Sequence, residues 1–196
     1  MTKTEQLDQL LINSNGFLQT ADAVKNGISR HTLIDYVQKQ HLQKVAHGVY
    51  ASEDAWPDEF YLLFTRNKRI IFSGESALYL HGLTDREPFY LSVSVPSGYN
   101  AAHLISQNVK VTHVKAEWYD MGKTEITTNL GYTVPVYDKE RCICDMIRKK
   151  KNVEIQTFQT ALNEYMKGKK NLGNLMRYAT ALRIDSTVRI YTEIML

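Results

Sequence analysis

Glycines at positions 16, 27 and 48 cut the first fifty residues into short pieces whose hydrophobic period keeps changing. The order of those pieces restricts the fold more than any other feature of the chain. Residues 5–14, EQLDQLLINS, place Leu7, Leu10 and Leu11 at the i, i+3, i+4 spacing of an amphipathic helix. Asn15-Gly16 ends it, glycine being the usual residue just past a helix C-terminus. Phe17 and Leu18 open a short extended piece. Thr20 stands where an N-cap belongs, and Ala21, Ala23 and Val24 make a brief second helix closed by Asn26-Gly27. Ser29 caps a third helix, whose apolar residues are Leu33, Ile34 and Val37. Two short helices joined by a tight glycine-containing turn outline a helix-turn-helix. His41–Val45 and Gly48–Ala51 are strand-like runs about a turn at Ala46-His47-Gly48, so a β-hairpin follows directly. That order is the outline of a winged helix-turn-helix, expected as a DNA-binding domain over residues 1–55.

A wheel at about 100° per residue separates the faces of the third helix. Leu33, Val37 and Ile34 cluster on one side and are expected to turn inward. His31, Thr32, Asp35, Gln38 and Lys39 occupy the opposite side, with Tyr36 at the edge. A major groove is wide enough to admit one helix, so these side chains are placed to reach base edges or phosphates. Arg30 falls near the inward side, but its first-turn position lets a long side chain swing to the backbone. Lys44 and His47 lie on the hairpin, suited to phosphate or minor-groove contact. The expected DNA contacts are therefore Ser29, Arg30, His31, Thr32, Tyr36, Gln38, Lys39, Lys44 and His47. Residues 12–51 are only mildly basic, with Lys25, Arg30, Lys39 and Lys44 against Asp22 and Asp35. Phosphate contacts dominate affinity, so such a module alone is expected to bind modestly. A winged helix that docks a protein rather than DNA stays open as the alternative.

Trp56-Pro57-Asp58 reads as a boundary, because proline suits a first helical turn and disfavours helix in the residue before it. A second domain is expected over 56–196. It begins with a helix near 58–66, the run Ile70-Ile71-Phe72, and a helix closed by Gly82. Phe89–Val95 alternates at period two and is the clearest strand; 109–114, 124–128 and 132–136 are further candidates. From Asp138 the pattern turns helical, over about 138–150, 153–167, 172–183 and 186–195. Strands followed by helices indicate an α+β domain ending in a helical bundle rather than a wound parallel sheet.

Motifs for catalysis find no support. Gly74-Glu75-Ser76-Ala77-Leu78 is not a nucleophile elbow, and Ser76 reads as a helix cap or buried hydroxyl. No phosphate-cradling or dinucleotide glycine pattern occurs. Cys142-x-Cys144 is too closely spaced for a zinc knuckle and has no second pair. His81, at a helix end, reads as a packed or capping histidine. Asp138, Glu140 and Asp145 alternate with Lys139 and Arg141, which favours a local salt-bridge cluster. No cofactor or metal is expected. No apolar run approaches the roughly 20 residues that span a bilayer, and MTKTEQLDQLL lacks the basic start and apolar stretch of a signal peptide. A cytoplasmic location with reduced thiols is the expectation, and no membrane partner.

Charge is uneven along the chain. Residues 1–138 hold 12 Lys and Arg against 15 Asp and Glu, whereas residues 139–196 hold 12 against 6. Arg148-Lys149-Lys150-Lys151 is a basic run between two expected helices. Lys169, Lys170 and Arg177 extend it, and together these seven are read as a second DNA or partner surface, against the plainer reading of a solvated loop.

Four segments taken in order carry a resemblance. They are Gly16-Phe17-Leu18, the hairpin Leu42–Tyr50, Ser76-Ala77-Leu78-Tyr79-Leu80-His81-Gly82-Leu83, and Val136–Asp145. With them the chain resembles the AbiEi antitoxins of the AbiE abortive-infection, type IV toxin–antitoxin systems. Cys142 departs from that pattern, where a Thr or similar residue is commoner. The resemblance implies an N-terminal winged helix that binds inverted repeats in its own promoter and represses it. It further implies a C-terminal domain needed for antitoxicity, and a cognate nucleotidyltransferase toxin counteracted without a stable complex.

Overall fold

The computed structural model describes residues 1–56 and 58–195; Pro57, on which the expected boundary turned, lies outside them. The fold is mixed α+β with two sheets and a helical C-terminal region. Its contacts divide into two units, Met1–Lys68 with Thr127–Thr133, and Arg69–Ile126 with Val134–Leu196.

The first unit opens with α1 (Lys3–Asn13), started by a capping box in which Thr2 and Glu5 exchange side-chain and backbone bonds. β1 (Phe17–Gln19), α2 (Thr20–Lys25), α3 (Arg30–Lys39), β2 (Gln43–Ala46) and β3 (Val49–Ala51) follow, and then α4 (Glu59–Arg66). The small sheet depends on glycine at two places. Gly48 turns the β-hairpin at φ +68°. Gly16 enters β1 at φ +87°, where an added Cβ would stand 2.5 Å from the Ser52 hydroxyl oxygen. β3 is the middle strand, antiparallel to β1 and β2.

The strand periodicity explains why α4 belongs to this unit although it lies beyond residue 55. Successive strand residues face opposite sides of a sheet. Leu18 and Tyr50 face the helical core of Leu7, Ala23, Ile28, Leu33, Tyr36 and Val37. Phe17, Val49 and Ala51 face the other way and need a cover of their own. Tyr61 of α4 and Tyr132 supply it, stacked at 4.5 Å between ring centroids, with the Phe17 ring edge-on to both. Tyr132 also donates its hydroxyl hydrogen bond to the Asn15 carbonyl, while Asp58 caps α4 and accepts a bond from Thr128.

The second unit is built on β4 (Ile71–Phe72), β5 (Ser92–Pro96), β6 (Lys110–Val114), β7 (Lys123–Thr127) and β8 (Thr133–Tyr137), in sheet order β6-β5-β4-β8-β7. β4–β5 is antiparallel, whereas β4–β8 and β5–β6 are parallel, so the sheet is mixed rather than wound. Its helices are α5 (Gly74–Leu80), the single turns α6 (Ala102–Ile105) and α7 (Ala116–Tyr119), then α8 (Lys139–Arg148), α9 (Ile155–Lys167), α10 (Leu172–Ala181) and α11 (Asp185–Met195). The alternation at Phe89–Val95 does form a strand, but only from Ser92, where the pairing with Lys110 begins. Phe89 and Tyr90 lie before that register and stay exposed, packed edge-on against each other.

Candidate nucleic-acid interface

Ser29 starts α3 by accepting a hydrogen bond from the Thr32 amide at 3.1 Å, and its hydroxyl lies 2.8 Å from that of Thr32. These two expected contacts are thus engaged in the helix cap. Beyond them α3 presents Arg30, His31, Ile34, Asp35, Gln38 and Lys39 to solvent. His31 and Asp35 sit 3.0 Å apart along that face. Lys44 and His47 are exposed on the hairpin.

Two residues correct the wheel. Tyr36, expected at the edge of the reading face, is 4% exposed and belongs to the core. Its hydroxyl donates to Asp8 of α1 at 2.6 Å. Burial, and then the neighbouring carboxylate, push the phenol well above its usual range. Ile34, expected inside, is 46% exposed. Exchanging these two turns the buried face of α3 by about 50° from its expected direction. A phenol ring buries as much apolar surface as an isoleucine once its hydroxyl has a partner, and Asp8 is that partner.

The turn of α3 brings Arg30 and Ile34 onto one wall of a cleft of about 680 Å³ between α2, α3 and the hairpin. Arg30, Lys44, His47 and Lys68 line it, and among the described residues no carboxylate does. Its apolar floor includes Val24, Leu33 and Ile34. Lys68, just past α4, was absent from the sequence-based contacts because nothing in its own neighbourhood marks it. Its amine donates to the Gln19 side chain at 3.3 Å and lies over the Phe64 ring. Burial lowers its affinity for a proton. Three cations, Arg30, Lys44 and Lys68, are thus gathered around one concavity, with Asp22 near Lys68, and such a concavity suits a polyanion.

The second expected basic surface is smaller than its sequence. Arg148 pairs with Asp145 at 3.2 Å and lies over Trp118. Lys149 is half-buried, its amine donating to Thr112, and burial lowers its proton affinity. Lys150 donates to the Tyr191 hydroxyl and lies between the Phe158 and Tyr191 rings. Lys170 donates to the Met166 carbonyl, and Arg177 lies against Tyr178. Lys150, Lys151, Lys169 and Arg177 are the exposed members, Lys150 and Arg177 each already engaged by an aromatic neighbour.

Each residue tested for catalysis has a structural task. Ser76 is buried and its hydroxyl accepts the Ser92 amide at 2.8 Å; the α5 cap position is held by Ser73. The His81 ring lies 2.7 Å from the Tyr137 carbonyl. Asp138 caps α8 and accepts from Tyr178, while Glu140 accepts from Tyr165 and the Asn171 amide. Only Asp145 among the three carboxylates forms an ion pair, with Arg141 at 2.9 Å and with Arg148. Arg141 is wholly buried, donating also to the Trp118 and Met121 carbonyls beneath the Tyr137 ring. Among the described residues no group of three or more His, Cys, Asp or Glu is arranged to hold a metal ion, and no helix is long and apolar enough to cross a membrane.

The fold is similar to that in the crystal structure of the RV2827C protein from Mycobacterium tuberculosis. The TM-score is 0.56 at 14% identity, covering 89% of this chain and 70% of that one, which is a likeness of fold. No curated protein matches the sequence significantly. Residues 5–87 match the family model described as transcriptional regulator, AbiEi antitoxin N-terminal domain. Those residues include the whole of α3, the hairpin and the cleft lining, so this part of the chain is similar to the AbiEi antitoxin N-terminal regulator domain.

Proposed function

We propose that the protein is the antitoxin of a type IV toxin–antitoxin, abortive-infection system and the repressor of its own operon. Its winged helix binds double-stranded DNA at inverted repeats in that promoter, with α3 in the major groove and the cleft cations against the backbone. The observation that carries this reading is the gathering of Arg30, Lys44, His47 and Lys68 around one cleft beside the exposed face of α3, with no carboxylate among its described lining residues, within the segment that matches the regulator family model. His31, Gln38 and Lys39 are the side chains offered to bases and phosphates. A protein-docking role gains nothing from such a gathering of cations unless the partner is itself acidic. The second unit counteracts a nucleotidyltransferase toxin without a stable complex, and Lys151, Lys169 and Arg177 add a further cationic contact. No cofactor and no catalytic step enter this scheme, and the protein acts in the cytoplasm.

A footprint on the DNA immediately upstream of the gene tests the reading. Two protected half-sites of inverted sequence are expected, their centres separated by about 10 bp or a multiple of it. Equal binding to the upstream fragment and to a scrambled fragment would refute it. For the antitoxin role, co-expression with a neighbouring nucleotidyltransferase gene is expected to restore growth without the two proteins co-purifying.

A further inference from the structure

Ile34 and Val24 are out of place. They are 46% and 50% exposed, and both border the cleft lined also by Arg30, Lys44, His47 and Lys68. A lone exposed aliphatic residue needs no explanation. Two on adjacent helices, lining one cleft with Arg30, Lys44 and Lys68, form an apolar ledge inside a site suited to a polyanion. Duplex DNA offers one apolar group in its major groove, the C5-methyl of thymine. We propose that Ile34, supported by Val24, reads a thymine methyl, so that the protein discriminates T from C at one position of each half-site.

The neighbouring residue agrees with this assignment. Gln38 follows Ile34 by four positions, which places both side chains on one face of α3. Both are exposed. A glutamine amide is matched to the N7 and N6 edge of adenine. One face of α3 thus carries a methyl reader and an adenine reader a helical turn apart, fit for a step rich in A·T pairs. Arg30, in the turn before Ile34, and Lys44 across the cleft are placed to hold the flanking phosphates and set the depth of the helix. The inference rests on the DNA-binding reading above and adds to it the chemical group recognised.

The test uses the full chain and the footprinted upstream fragment, made once with thymidine and once with deoxyuridine throughout, which removes only the C5-methyl groups. Dissociation constants are measured for the unaltered protein, for Ile34→Ala and for Ile34→Val at one salt concentration. Burial of one methyl group corresponds to about a fourfold change in affinity. The unaltered protein is expected to bind the thymidine fragment about fourfold or more tightly than the deoxyuridine fragment. Ile34→Ala is expected to lose that preference while binding the deoxyuridine fragment as the unaltered protein does, with Ile34→Val between them. Thermal melting of each variant checks that the exposed position leaves the fold intact. If the unaltered protein binds both fragments equally and more tightly than a scrambled one, DNA binding stands and the methyl assignment is overturned. Binding no tighter than to the scrambled fragment overturns both. If Ile34→Ala instead changes the sedimentation of the free protein, the ledge is a contact between copies of the chain and the assignment falls.

Discussion

Neutralising the cleft gives a prediction whose size follows from the geometry. Arg30, Lys44 and Lys68 line the cleft with no carboxylate among its described lining; Arg30 and Lys44 are exposed, and Lys68 must leave Gln19 to meet a phosphate, so three contacts set the upper limit of the effect. Each such contact adds about 0.9 to the slope of log affinity against log salt. Changing all three to Gln is expected to flatten that slope by up to about 2.7. At about 0.1 M salt the same relation gives a loss of up to roughly 500-fold, or about 3.7 kcal/mol, shrinking toward nothing near 1 M. The shape of the two lines matters more than the loss at any one salt: they must converge. Lys3 on α1 is exposed but lines no part of the cleft, and Lys3→Gln serves as the control, expected to keep the full slope. Fluorescence anisotropy of the labelled upstream fragment across a salt series supplies the data. A triple variant whose line runs parallel to the original refutes the reasoning, because its loss would then come from shape rather than charge. So does a Lys3→Gln line as flat as the triple variant's.

Removing the Tyr36 hydroxyl with Tyr36→Phe breaks the bond to Asp8 but keeps the buried ring. Since Asp8 is half-exposed and can take water instead, a loss of about 1–2 kcal/mol is expected in urea unfolding, and a gain would show the hydroxyl to be strained. His81 is a pH prediction. Burial lowers its proton affinity in the folded chain, against the pull of the Tyr137 carbonyl. The unfolded chain then binds the proton more readily, so stability is full above the ordinary histidine range and falls as pH drops through it toward the lower folded value. A urea midpoint that rises on acidification through that window would contradict the assignment, and His81→Gln should flatten the profile. Cys142 and Cys144 are buried thiols donating to backbone carbonyls, and burial pushes Cys144 up to about 12 and Cys142 well up from its ordinary value. Neither is expected to react with a thiol reagent at neutral pH until denaturant is added; rapid labelling of the native chain would refute this.

The sequence is most legible where local chemistry decides the outcome. Asn-Gly pairs end α1 and α2, Ser29 caps α3, and Gly48 turns the hairpin, each for a reason confined to a few neighbouring residues. What could not be read depends on partners far along the chain. Tyr36 is buried because Asp8 meets its hydroxyl, and hydropathy alone ranks Ile34 as the better core residue. The outer face of the hairpin sheet is covered by Tyr61 and Tyr132. Tyr132 lies more than a hundred residues from Phe17, so no local pattern could have assigned it to this unit. The carboxylates Asp138 and Glu140 read as salt-bridge partners by spacing, yet they accept bonds from Tyr178, Tyr165 and the Asn171 amide, groups that arrive only with α9 and α10.

The same dependence on distant partners reverses the electrostatic reading of the two halves. Residues 139–196 carry the excess of positive charge, and by composition alone they are the better candidate for a polyanion surface. Yet Arg148, Lys149, Lys150 and Lys170 are drawn into contacts with Asp145, Thr112, Tyr191 and the Met166 carbonyl. A cation that must leave such a partner to meet a phosphate gains less than a free one, because the contact it breaks offsets the one it makes. The N-terminal unit has few cations but three of them around one cleft, of which Arg30 and Lys44 are exposed and Lys68 is held by Gln19. Its Asp8 is turned to Tyr36, and among the described residues no carboxylate lines the cleft, although Asp22 lies close enough to Lys68 to favour its proton. Field strength at a surface depends on which charges share a concavity, and net charge averages that away. Affinity for DNA should therefore be sought first in Arg30, Lys44 and Lys68, with Lys151, Lys169 and Arg177 as the smaller remainder.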